Sequence, residues 1–97
     1  MIVTIVPHEG SGPQGKLAEA ELVFTDGPLE GLKLIGFTVW EGRQKPNITF
    51  PARQYSVNGE RRTFSLLRAV ADQAGVERLK QLILDAYAEH QRVALAS

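Results

Sequence analysis

Apolar and polar residues alternate along much of the first two thirds of the chain, with the period of two that is typical of β-strands. Residues 2–6 are all β-branched, and the apolar residues at 18, 20 and 22 flank Glu19 and Glu21. Both stretches predict strands, although the composition of residues 16–22 also favours a helix. An apolar run over 32–40 and a short extended segment at 48–50 predict further strands. Glycine and proline residues mark the loops between these segments.

Asn58-Gly59 is the strongest turn signal in the chain. A type I′ turn requires positive φ at both central residues, and Asn-Gly adopts that conformation readily. The segments on either side, residues 54–57 and 60–66, therefore predict a β-hairpin. A two-residue turn pairs Val57 with Glu60, Tyr55 with Arg62, and Arg53 with Phe64.

From Val76 the period changes to that of an amphipathic helix, expected to run to about residue 93 with Gly75 near its start. Its apolar stripe consists of Val76, Leu79, Leu82, Ile83, Ala86 and Tyr87. The whole pattern predicts an α+β fold, an antiparallel β-meander of four to five strands with one long C-terminal amphipathic helix covering one sheet face. At 97 residues, the chain is expected to form a single domain over 1–97.

Basic and acidic residues are separated along the chain, although the formal net charge is zero. Residues 1–42 hold two basic and six acidic residues, whereas residues 43–68 hold six basic residues and a single acid, Glu60. Phe50, Tyr55 and Phe64 lie within this second segment. A cationic stretch that also contains aromatic residues indicates a surface that meets an anionic partner.

The predicted register places Arg53, Tyr55, Arg62 and Phe64 on one hairpin face and Arg61 on the other. Aromatic rings stack on bases and arginines neutralise phosphate, so this face suits nucleic acid, with Tyr55 the best candidate for stacking. In the alternative arrangement, Tyr55 and Phe64 face the helix while the arginines extend outward from the edge. The arginines would reach backbone phosphate in either arrangement.

Other motifs indicate little chemistry. Residues 10–15 have the spacing G-x-G-x-x-G, but a dinucleotide site needs a helix after this motif, and a strand is predicted there. His8 and His90 lack metal-ligand spacing, and Glu19 and Glu21 are expected on a solvated strand face. The chain has no cysteine, which excludes a thiolate nucleophile and Cys-ligated metal. We therefore expect no enzymatic activity, no metal site and no cofactor.

The predicted helix balances its charges between residues 77 and 92, which argues against a basic recognition helix in a DNA groove. Leu84, Ala88 and Leu95 lie off its stripe and add apolar surface. The helix either seats a second subunit or simply covers the core. The apolar run after Met1 is too short for a secretory signal or a membrane span, so we expect a cytoplasmic protein without membrane association.

The order of these motifs resembles that of the stage V sporulation protein G family, small bacterial proteins of septation and gene regulation. Four segments carry the resemblance. Val3-Thr4-x-Val6 is similar to the family's opening strand, and Gly42 followed by Phe50-Pro51-Ala52-Arg53 is similar to its D-G…(M)-P-S-K/R segment. Gly59 through Arg62 resembles its glycine-centred turn followed by arginine, and Ile83-Leu84-Asp85-Ala86-Tyr87 resembles its helix ending in V-L-x-E-Y. The chain looks like a divergent member, because Leu66-Leu67-Arg68 stands near the place of the family's His-Pro and Asp72 to Glu77 replace its basic helix start.

The resemblance implies an antiparallel sheet with a C-terminal helix, a homodimer, and non-catalytic binding of DNA and RNA through Arg53 and Arg62. We therefore expect a small bacterial-type regulatory protein that binds DNA, RNA or both through a basic hairpin surface. The candidate binding residues are Arg43, Lys45, Arg53, Tyr55, Arg61, Arg62 and Arg68. The competing hypothesis is a protein-interaction module whose basic patch or helix face docks an acidic partner.

Overall fold

Four antiparallel strands form the main sheet of the protein. The computed structural model describes residues 1–8 and 12–96, apart from the side chain of Ala96. The strands are β1 (Ile2–Pro7), β2 (Lys16–Val23), β3 (Lys33–Trp40) and β4 (Asn47–Thr49). They pair in chain order, so the predicted meander is confirmed. Of the glycine motif, residues 10 and 11 lie outside the described residues; the strand expected after the motif is β2.

The predicted hairpin and helix complete an α+β fold. Strands β5 (Ala52–Val57) and β6 (Glu60–Ser65) pair with each other as a second, two-stranded sheet, instead of continuing the meander. The helix α1 spans Ala74–Ala96 and so begins two residues before the predicted start at Val76. The carboxylate of Asp72 accepts a hydrogen bond from the Ala74 backbone N–H at 2.9 Å and caps this end of the helix.

One face of the main sheet and one side of α1 enclose the core. Every second residue of β2 points inward, so Ala18, Ala20 and Leu22 are all buried, which explains why β2 is a strand despite its helix-favouring composition. Their buried partners are Phe37, Val39, Ile48 and Ile83. Burial of these apolar side chains is the main force that holds the helix on the sheet.

The buried side of α1 differs from the predicted stripe at two leucines. Leu82 is 49% exposed, whereas Leu84, predicted to lie off the stripe, packs partly buried against the core. The helix contacts the two edge strands, β1 and β4, and Leu84 lies on the side of β4 together with Pro46 and Ile48. The sequence pattern was wrong about Leu82 because the apolar face is centred on Ile83 and extends toward β4.

The opposite face of the main sheet carries the acidic residues of β2. Lys16 pairs with Glu19 at 3.0 Å and Lys33 pairs with Glu21 at 3.2 Å. These two glutamates are therefore already neutralised by neighbouring lysines. Such exposed pairs contribute little to stability, but they remove two cations from those available to an anionic ligand.

The hairpin is fixed to the main sheet at its base. The ring of Phe50 packs edge to face on the buried ring of Phe37, with centroids 5.1 Å apart. Pro51 is buried beside Gly36, and its carbonyl accepts a hydrogen bond from the Leu66 N–H at 2.8 Å.

The radius of gyration of the molecule is 14.9 Å. A compact domain of this length would have about 12.5 Å, so the molecule is elongated.

Candidate nucleic-acid interface

The turn of the hairpin has the predicted conformation. Asn58 has a φ of 52° and Gly59 a φ of 82°, so both central residues have the positive φ that a type I′ turn requires. The strands pair Val57 with Glu60, Tyr55 with Arg62, and Arg53 with Phe64. The predicted register is therefore confirmed, and with it the division of the side chains between two faces.

The aromatic face of the hairpin, defined as Arg53, Tyr55, Arg62 and Phe64, points away from the helix. The opposite face contributes Ala52, Thr63 and Ser65 to a cleft that also contains Val76 and Lys80 of α1. Since strand side chains alternate between faces, the four residues of the aromatic face lie on the other side. The alternative arrangement, with Tyr55 and Phe64 packed on the helix, is wrong.

Tyr55 and Phe64 pack against each other on this face while remaining open to solvent. Their ring centroids lie 5.5 Å apart with an interplanar angle of 63°, and the residues are 40% and 39% exposed. An edge-to-face pair of this kind stabilises the hairpin. It also holds two aromatic side chains in place on an exposed surface, where a base can stack on them.

The two arginines of the aromatic face differ in their ionic environment. Arg62 lies 3.5 Å from the Glu60 carboxylate, and both side chains are more than half exposed. Arg53 forms no ion pair with any residue that the structure describes. Both guanidinium groups therefore remain accessible to an anionic ligand, but a ligand that binds Arg62 must compete with the Glu60 carboxylate.

The remaining candidate residues lie on other surfaces. Arg61 is on the hairpin face opposite Tyr55, and Arg43 shares a shallow depression with Glu41. Lys45 borders a groove beside α1 that contains Asp85. Arg68 lines the cleft between the hairpin and α1. The structure brings Arg53, Tyr55 and Arg62 together on one face and places the other four residues on other surfaces.

One aromatic residue of the cationic stretch belongs to the core. Phe50 packs on Phe37 and does not join Tyr55 and Phe64 on the surface. The sequence gives a sign of this, because Phe50 precedes Pro51 at the end of an extended segment, before the hairpin begins.

Among the described residues, the lysines and arginines without an ion pair all lie within residues 43–80, which extends past the predicted cationic stretch of 43–68. Within residues 1–8 and 12–96, the basic residues without an ion pair are Arg43, Lys45, Arg53, Arg61, Arg68, Arg78 and Lys80. Sequence reasoning did not select Arg78 and Lys80, because the helix is neutral when its charges are counted together. The helix places these two near its N-terminal end, close to Arg68, while its last turns hold an ion pair of their own.

The Arg92 guanidinium near the end of α1 hydrogen-bonds the Glu89 carboxylate and lowers the pKa of Glu89.

Among the described residues, no group of three or more histidine or acidic side chains has an arrangement that could hold a metal ion. Nor does the described part of the chain contain a helix with the length and apolar character needed to cross a membrane.

No protein-family model, curated protein or solved structure matches this chain. The resemblance to the stage V sporulation protein G family therefore stays a prediction, and the functional argument depends on the geometry of the hairpin.

Proposed function

We propose that the protein is a small non-enzymatic regulatory protein that binds DNA or RNA through the aromatic face of its hairpin. The observation that supports this proposal most directly is the exposed Tyr55–Phe64 pair between Arg53 and Arg62. Exposed aromatic rings beside arginines combine a surface for base stacking with charges that neutralise phosphate, which is the composition of a surface that binds single strands. A cytoplasmic location goes with the proposal, because that compartment contains the nucleic acid.

Each residue of the aromatic face has a distinct role in this proposal. Arg53 and Arg62 neutralise backbone phosphates, which releases counterions and provides most of the affinity. Tyr55 stacks on a base, and Phe64 holds the Tyr55 ring in position through their edge-to-face contact. Arg43, Lys45, Arg61 and Arg68 add phosphate contacts on the surfaces outside this face.

The proposal is tested by fluorescence anisotropy with single-stranded RNA, single-stranded DNA and duplex DNA across a salt series. With four to six phosphate contacts, the log–log slope of affinity against salt should be about −3 to −5. The Arg53→Ala/Arg62→Ala variant should bind far more weakly than the wild type. The matched control is Lys33→Ala/Arg92→Ala, which removes two exposed basic residues away from the hairpin.

The proposal fails if the wild type binds none of the three nucleic acids at low salt. It also fails if the control variant loses as much affinity as the hairpin variant, because binding would then depend on net charge alone. Circular dichroism of both variants checks that the fold is intact.

We also propose that the protein forms a homodimer, with the exposed apolar side of α1 as one contact surface. Leu82 and Val93 are 49% and 53% exposed, and their spacing of eleven residues places them on the same side of this helix. Small domains often bury such apolar surface by pairing. Light scattering should give twice the monomer mass of 10.7 kDa. Leu82→Glu should restore the monomer, and its failure to do so would exclude this side of the helix.

The competing function, a module that docks an acidic protein, uses the same surfaces. The exposed Leu82 and Val93 of α1 favour it, since an apolar surface beside charged residues is typical of a protein interface. A partner that still binds the Arg53→Ala/Arg62→Ala variant but is lost with Leu82→Glu would support this function over nucleic-acid binding.

A further inference from the structure

A cleft of about 480 Å³ separates the hairpin from α1 on the side opposite the aromatic face. The polar side chains that line it are Thr49, Thr63, Ser65, Arg68, Gln73 and Lys80. Its volume is within the range of ordinary ligand sites. These residues come from β4, from β6, from the connection to α1 and from the helix itself, so the fold assembles the cleft from distant parts of the sequence.

The cleft is distinguished by its charge. Arg68 and Lys80 both line it, and no aspartate or glutamate of residues 1–8 and 12–96 does so. The neighbouring depressions each contain a carboxylate, such as Asp72 beside the helix start and Glu77 on the other side of Lys80. Two cations without a carboxylate between them create a local positive potential within a concave surface, which concentrates anions.

Lys80 is the more informative of the two cations. It is half-buried, yet it forms no ion pair with any residue that the structure describes, Glu77 included. A lysine buries its aliphatic stem while its ammonium group stays in contact with water, so this charge is available to an anionic ligand. A ligand that brings an anionic group into the cleft would supply the missing partner of Lys80.

We propose that this cleft binds a phosphate group, through Arg68 and Lys80 as cations and Thr63 and Gln73 as hydrogen-bond donors. Arginine donates in a planar fork that fits phosphate oxygens, and lysine adds a compact positive charge. The Ser65 hydroxyl already donates to the Leu67 carbonyl at 3.0 Å, so it orients the start of the connection that carries Arg68.

The phosphate belongs to the backbone of a bound nucleic acid, and this assignment rests on the proposed function. The aromatic face and the cleft lie on opposite sides of one thin hairpin, with Arg61 on the cleft side. A nucleic-acid strand that passes around the hairpin would thus place bases against the aromatic face and a backbone phosphate in the cleft. A free phosphate-bearing small molecule has the same chemistry, and the experiment distinguishes the two.

The test compares four proteins: wild type, Arg68→Gln/Lys80→Gln, Arg68→Lys/Lys80→Arg and the control Lys33→Ala/Arg92→Ala. Anisotropy with single-stranded oligonucleotides is measured across a salt series. Loss of two phosphate contacts should reduce the salt slope by about 1.4 and weaken binding roughly 25-fold at about 0.1 M salt. The charge-preserving variant should retain most of the wild-type affinity, and circular dichroism verifies each fold.

In parallel, pyrophosphate is titrated into labelled protein while the backbone amide resonances of Thr63, Gln73 and Lys80 are followed by NMR. Selective shifts in wild type, absent from the glutamine variant, support a phosphate site. If the wild type binds no oligonucleotide but pyrophosphate shifts these resonances, the proposed function fails and the site serves a small molecule. If the glutamine variant binds nucleic acid as the control does and pyrophosphate shifts nothing, the phosphate site is overturned.

Discussion

The rings of Tyr55 and Phe64 meet edge to face on the outer side of the hairpin, with their centroids 5.5 Å apart. This contact joins the two strands on a face where both residues remain about two fifths exposed. An isolated two-stranded hairpin is only marginally stable in water. The aromatic pair therefore serves two purposes, because it stabilises the hairpin and presents flat apolar surface to a ligand.

Removing the Tyr55 ring should weaken nucleic-acid binding without changing its salt dependence. Stacking of a base on an aromatic residue contributes about 1–3 kcal/mol, so Tyr55→Ala should bind between about fivefold and over a hundredfold more weakly. Tyr55→Phe is the matched control and should retain most of the affinity. Anisotropy across a salt series measures both quantities. A large decrease in the salt slope for Tyr55→Ala would contradict this role, since the ring carries no charge.

Removing the Glu60 carboxylate should strengthen binding. Glu60 is the single acid among residues 43–68 and lies 3.5 Å from Arg62, so it competes with phosphate for that arginine. Glu60→Gln leaves the turn intact and should tighten binding to single strands about three- to fivefold at about 0.1 M salt. The control Glu89→Gln changes net charge equally at the far end of α1 and should have a smaller effect. Equal effects would show that only net charge matters.

The hairpin was predictable from the sequence because its information is local. Asn58-Gly59 determines the turn, and a two-residue turn then determines every cross-strand pair. The position of the hairpin relative to the helix was not predictable, because it depends on Phe50 and Pro51 packing on β3, which is a long-range contact. The opposite orientation was therefore an open alternative until the fold was known.

The candidate cleft could not be found from sequence for a related reason. Arg68 was selected by the density of positive charge, but Lys80 belongs to a helix whose charges cancel when counted along the chain. Only the fold shows that Lys80 faces Arg68 across a cleft while the acids of the helix face elsewhere. Leu82 and Leu84 illustrate the same limit, since helical periodicity leaves the direction of the buried side uncertain by one residue.

Gly36 should tolerate a side chain poorly. Its φ is 106°, and a Cβ added there would lie 2.8 Å from the Pro51 Cβ at the base of the hairpin. Gly36→Ala combines backbone strain with this clash, and we expect it to reduce the free energy of unfolding by roughly 2–4 kcal/mol. Gly31→Ala is the matched control, because Gly31 has a φ of 87° and the added Cβ would have no atom of the described residues within 4 Å. It should lose only about 1–2 kcal/mol.

Urea denaturation followed by the fluorescence of Trp40, the single tryptophan, compares the two glycine variants. The indole N–H of Trp40 donates to the Thr49 hydroxyl at 2.7 Å, so its emission reports on the pairing of β3 with β4. Equal losses in the two variants would mean that the contact between Gly36 and Pro51 does not hold the hairpin base.

The rotation of α1 on the sheet predicts opposite outcomes for two adjacent residues. Ile83 is fully buried among the core residues of β2 and β3, whereas the neighbouring Leu82 is 49% exposed. Ile83→Ala should lower the free energy of unfolding by about 2–5 kcal/mol, since it removes buried methyl groups and leaves a cavity. Leu82→Ala removes a side chain of the same size, but in the monomer it should cost no more than about 1 kcal/mol.

Urea denaturation at protein concentrations low enough to dissociate a dimer measures both values. A loss for Leu82→Ala as large as that for Ile83→Ala would place the buried side of the helix on the stripe predicted from sequence. It would also remove Leu82 from the surface proposed to contact a second subunit.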